Sequence, residues 1–163
     1  MPYIIDGYNL LWAIESDDER FEPVDDVRLC WTIGRYLSRI REQGELVFDG
    51  AGPGGRFADK GRFDNIPGLV VSFSGIGRDA DTVIEEKIKA RASSQPLVVV
   101  SSDRRLRQAA RQGKATAIRS DAFWERVLAE IRKKRPASEP TAKRHGLSES
   151  ETDMWLGLFD LEQ

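Results

Sequence analysis

The chain has 163 residues, the size of a single domain, and 40% of them are hydrophobic, enough for one core. No apolar run approaches the ~20 residues of a membrane span. The N-terminus has no basic stretch ahead of its apolar residues and is not expected to be a secretory leader. The single cysteine, Cys30, excludes an internal disulfide and suits a reducing cytoplasm, and a net charge of −2 excludes a general polycation that coats nucleic acid.

In chain order, "YII" at residues 3–5 predicts a first strand, and Gly7 is expected to let the chain turn sharply as it leaves the sheet, an ordinary turn being the plainer alternative for "DGYN". Residues 24–42 follow a helical pattern with Val27, Cys30, Trp31, Ile33, Gly34, Leu37 and Ile40 near one face, so Cys30 is expected to be a small core residue. "GELVFDG" predicts a second strand over 46–48, followed by a glycine-rich segment over 50–67. "LVVSF" at 69–73 predicts a third strand. "DADTVIEEKIKARA" then opens with acids and closes with bases, as a helix dipole favours. "PLVVVSSD" predicts a fourth strand, whose unbroken apolar run suggests burial on both faces. A short helix over 104–112, a short fifth strand over 115–119 and a helix over 121–134 complete the pattern. The expected organisation is a domain over 1–135, a Pro-containing linker over 136–147, and a short amphipathic segment over 148–163 carrying Trp155, Leu156, Leu158, Phe159 and Leu161. Strand and helix alternate, which predicts a mostly parallel sheet of about five strands covered on both faces.

In open parallel sheets, ligands bind outside the carboxyl ends of the strands. The first strand ends in Asp6, the second in Asp49 and the fourth in Ser101-Ser102-Asp103, while the third leads to a helix whose first turn holds Asp79 and Asp81. A single acid at such a place is an ordinary cap or turn former. Several at matching places repel one another unless a cation lies among them, and a hard divalent ion with oxygen ligands is the economical answer. The only histidine, His145, falls in the expected linker, which excludes a histidine-pair ribonuclease and disfavours a zinc site. Asn9 stands beside this edge, able to orient Asp6 or to bind a phosphate. "GIGRDA" at 75–80 has the spacing of a dinucleotide fingerprint, but Asp79 and Asp81 would stand where the pyrophosphate belongs.

"IIDGYNLL", "VFDG", "DADTVIEEKI" and "VVVSSD" together resemble the NYN domain, and more narrowly the YacP-like branch of the PIN-like nuclease superfamily, from Met1 to about Lys134. The resemblance implies a three-layer α/β/α PIN-like fold and Mg²⁺- or Mn²⁺-dependent cleavage of RNA. Carried over by position, Asp6, Asp81 and Asp103 match the family's acidic site and Asn9 its opening asparagine. Asp49 matches a less regular position, and Glu85, one turn after Asp81, a further acid. The expected activity is a cytoplasmic endoribonuclease whose ion is held by Asp6, Asp81 and Asp103, with Asp49 and Glu85 as additional ligands. Arg56, Arg62, Arg78 and Arg104, with Asn9 and Ser102, are expected to hold the RNA backbone without reading bases. Messenger or ribosome-associated RNA is the expected target. The rival is a non-catalytic RNA- or ribosome-binding protein on the same scaffold. A small-molecule phosphohydrolase lacks its D-x-D signature here, since Asp6 is followed by Gly7-Tyr8.

Overall fold

The structure is a computed structural model and describes residues 2–52, 63–91 and 96–133. The expected linker and C-terminal segment lie outside these residues, as do Arg56 and Arg62. Five strands, β1 (Tyr3–Asp6), β2 (Gly44–Phe48), β3 (Leu69–Phe73), β4 (Val98–Val100) and β5 (Thr116–Ile118), form one sheet in the order β3-β2-β1-β4-β5. Every pairing is parallel. The helices are α1 (Gly7–Glu15), α2 (Asp26–Arg39), α3 (Ala80–Arg91), α4 (Arg104–Gln112) and α5 (Ser120–Arg132).

Strand alternation sorts the core into two layers. Ile5, Leu46, Phe48 and Val100 pack with Leu10 and Ile14 of α1, Ile33 and Leu37 of α2, and Phe123, Trp124 and Val127 of α5. Ile4, Val47 and Val99 pack on the opposite face with Ile84 and Ile88 of α3 and Leu106 and Ala110 of α4. The result is the expected three-layer α/β/α arrangement. Cys30 is fully buried in the first layer, and burial pushes its thiol up to about 12, so it is inert packing.

One expected turn is a helix. The chain does not bend away at "DGYN" but enters α1 directly, with Asp6 as its N-cap: the Asp6 carboxylate accepts from the Asn9 backbone N–H at 3.1 Å. Gly7 therefore serves steric fit and not a turn. A Cβ at this position would lie 2.5 Å from the buried Phe48 ring, so only glycine lets α1 start this close to β2. The second helix is shorter than expected, starting after Asp25, whose carboxylate accepts from the Arg28 N–H at 2.7 Å.

Strand order reverses around β1: β2 and β3 extend to one side, and β4 and β5 to the other. The crevice between the carboxyl ends of β1 and β4 is the switch point where such sheets bind ligands. Ile5 is level with Val100, so Asp6 stands level with Ser101 there.

Candidate functional site

One cavity of about 380 Å³ opens at this edge, lined by Asp6, Tyr8, Asn9, Trp12, Asp49, Asp79, Ala80, Asp81 and Asp103. The strand acids arrive there by parity. Asp6 follows Ile4 by two, and Asp49, just past β2, follows Val47 by two, so both continue the sheet face covered by α3. That helix carries Asp81 in its first turn.

Most of these acids also hold the chain together. Asp6 accepts from the Asn9 N–H through one oxygen and from the Ser101 hydroxyl, 3.1 Å away, through the other. Asp103 caps α4, accepting from the N–H groups of Arg105 at 2.7 Å and Leu106 at 3.2 Å. Asp49 accepts from the Ala80 N–H at 3.0 Å and lies 3.0 Å from the Ser74 hydroxyl, tying the end of β2 to the start of α3. Asp79 accepts from the Thr82 N–H at 2.6 Å. Asp81 differs: among the described residues it accepts no hydrogen bond and joins no ion pair.

The amides at the start of α3 that a pyrophosphate would need are thus taken by Asp49 and Asp79. This geometry agrees with setting the "GIGRDA" match aside.

Electrostatics link the acids. Asp6 is only 6% exposed. Its burial, with smaller contributions from the charges of Asp81 and Asp103, raises its pKa from 3.8 to about 6, against the lowering effect of its hydrogen bonds to Asn9 and Ser101. Asp81 is also raised, first by burial and then by Asp103, with Arg105 opposing. Burial is thus the main reason that both carboxyls hold their protons more tightly than usual, with the neighbouring acids adding to it. Among the described residues, the cavity lining contains no Lys, Arg or His.

Asn9 works as a brace. Its side-chain oxygen accepts from the Ser102 N–H at 2.8 Å and from the Ser120 hydroxyl at 2.7 Å, joining α1 to the ends of β4 and β5. The Ser102 hydroxyl is occupied by the Ser120 N–H at 3.1 Å. Glu85 does not line the cavity; it pairs with Arg105 of α4 at 2.6 Å. Arg78 pairs with Glu86 at 2.6 Å on the surface. Arg104 is exposed and enters no ion pair among the described residues. Sequence reasoning missed Ser74, Ser101 and Ser120 as supports, and Tyr8 and Trp12 as lining residues. The last two come into view only with α1, which puts positions 8 and 12 on one helix face.

The donor set is all oxygen, which fits a hard divalent ion and disfavours zinc. Among the described residues no three acid, histidine or cysteine side chains close on a single point as a ready chelate.

A parallel three-layer sheet gathering carboxylates at its switch point is the frame of a PIN-like nuclease domain. The YacP-like NYN domain matches residues 3–155, and the chain belongs to that family, a branch of the PIN-like nuclease superfamily. Among solved structures it is similar to a crystal structure of Rae1 (YacP) from Bacillus subtilis, with 21% identity over 81% of this chain and 76% of that one and a TM-score of 0.58. It is similar also to that of a mutant of the same protein, with 20% identity over 80% and 77% of the two chains and a TM-score of 0.59. These likenesses show the fold. No curated protein matches the chain. No helix among the described residues is long and apolar enough to cross a membrane.

Proposed function

We propose that the domain is a cytoplasmic, Mg²⁺- or Mn²⁺-dependent endoribonuclease. Asp6, Asp81 and Asp103 would hold the ion, with Asp49 beside them. The observation that carries this reading is Asp81, a partly buried carboxylate with no hydrogen bond among the described residues and a raised pKa, in a cavity shared with four other aspartates. A divalent ion bound there supplies positive charge to the phosphoryl oxygens and activates water for phosphodiester hydrolysis. The chain's own part is positioning. Ser101 and the Asn9 N–H fix the Asp6 carboxylate. The amides of α4 fix that of Asp103. Glu85 would act through Arg105, which it pairs and whose charge reaches Asp81. Arg78 and Arg104 are exposed for backbone phosphates of RNA.

One observation favours the rival, a non-catalytic RNA binder: Asp6, Asp49, Asp79 and Asp103 each have a structural partner that alone would explain them. Asp81 has none, and anions in the groove of a pure RNA binder only weaken it.

The test is incubation of labelled structured and unstructured RNA with purified protein in Mg²⁺, Mn²⁺ or EDTA. Cleavage in either metal and none in EDTA is expected, lost in Asp81→Asn and Asp103→Asn. Cleavage by both variants at the wild-type rate would sink the site assignment. RNA binding without cleavage in any metal would favour the rival.

A further inference from the structure

We propose that Tyr8 and Trp12 form a stacking platform for an unpaired nucleobase next to the phosphate over the acids. The inference rests on the nuclease reading above and specifies its substrate. The two aromatics stand four residues apart on one face of α1, while Leu10 and Ile14 on the other face are buried in the core. Tyr8 is 52% exposed and Trp12 66% exposed, and both line the cavity that holds the aspartates. Large aromatic surface left in water beside a polar site marks a contact with something.

The chemistry of the lining says what that something is. Among the described residues no cation lines the cavity, so these residues offer a nucleic acid no phosphate–Lys or phosphate–Arg pairs there. What they do offer, apart from carboxylates for a metal, is the aromatic surface of Tyr8 and Trp12 for the faces of bases. Stacking on aromatic rings is how proteins hold single strands without reading sequence. The bases of a duplex are already stacked on one another and offer no face. The cavity, at about 380 Å³, falls within the size range of small-ligand pockets. The platform is also partly built in advance. Tyr8 rests edge-on against Phe48, with ring centres 5.1 Å apart, and Phe48 stacks on Phe73 at 5.8 Å. A braced ring loses little freedom when a base settles on it.

The experiment measures binding of three labelled ligands with Ca²⁺ as the divalent ion: a short oligouridylate, the same strand annealed to its complement, and an abasic ribose-phosphate strand of equal length. The wild-type protein should prefer the single strand to the duplex and to the abasic strand. Trp12→Ala and Tyr8→Ala should each weaken oligouridylate binding by about tenfold, the order of one base–aromatic stack, and leave the abasic strand unaffected. Trp12→Phe should restore most of the loss. Trp12 is largely exposed, so its removal should leave the melting temperature near wild type. If the wild-type protein binds and cuts RNA but the alanine variants bind oligouridylate as tightly, the platform is refuted and the nuclease reading stands. If those variants change only self-association, the aromatics face another copy of the chain and the platform is again refuted. If the wild-type protein neither binds nor cuts any RNA, both readings fall together.

Discussion

The two flanks of the acidic cavity are built differently. On the β1–β4–β5 flank every functional group is fastened: Asp6 to Ser101 and the Asn9 amide, Asn9 to Ser102 and Ser120, Asp103 to the start of α4. On the α3 flank Asp81 is held only by its helix, and its carboxylate has no hydrogen bond among the described residues. The fastened acids hold the architecture and, in the proposed function, would also serve the site, so substitution there should mix lost stability with lost activity. In the proposed function Asp81 would serve only the site, and so would separate the two.

The sharpest consequence concerns Asp81 itself. Asp81→Asn should lower RNA cleavage by about a hundredfold or more, beyond what loss of a mere supporting contact to a metal ligand costs. Its melting temperature should match or exceed wild type, because one anion of a repelling set is gone. Cleavage assays beside thermal melts would show the comparison to be mistaken if activity and stability fell together.

Asp6 should show its double role through pH. The folded state holds this proton up to about pH 6, whereas the unfolded carboxyl releases it near 3.8. Between those values the folded protein binds more protons than the unfolded, so metal-free stability should fall as pH rises from about 4 to about 6 and then level off. The full loss is roughly 3 kcal/mol from Asp6, with a contribution of the same sign from Asp81. Asp6→Asn should flatten the profile in denaturant titrations. An unchanged slope would mean that Asp6 is not the group responsible.

Gly7→Ala tests how the fastened flank is seated. The added methyl meets the Phe48 ring and should cost about 1–3 kcal/mol. It should reduce cleavage as well, by shifting the start of α1, which carries Asn9. Asp103→Ala is the smallest effect on folding, about 1 kcal/mol for a lost helix cap. Asp81→Ala should show no such cost, and equal destabilisation of the two would erase the distinction between the flanks.

Much of this was legible in the sequence. The five strands and the helices from α2 onward follow from apolar runs, and Asp6, Asp49 and Asp103 announce themselves by standing where strands end. The first helix was not legible, because Gly7 and Asn9 are poor helix formers and α1 draws its stability from the Asp6 cap and the burial of Leu10 and Ile14. The pairing of Glu85 with Arg105 joins two helices and has no local signature. Nor does the bond between Asn9 and Ser120, which are 111 positions apart. Local pattern therefore disclosed which residues reach the edge of the sheet, and tertiary contact decides which of them remain available to a metal.

The most direct test of that availability is Mn²⁺ binding to wild-type protein and to Asp81→Asn, followed by calorimetry and by the metal-induced rise in melting temperature, with no RNA present. A divalent ion seated among these carboxylates predicts that Mn²⁺ binds and stabilises the wild-type protein, and that Asp81→Asn loses most of that affinity while melting at or above the wild-type temperature without metal. Equal Mn²⁺ affinity in the two proteins, or none in the wild type, would contradict it.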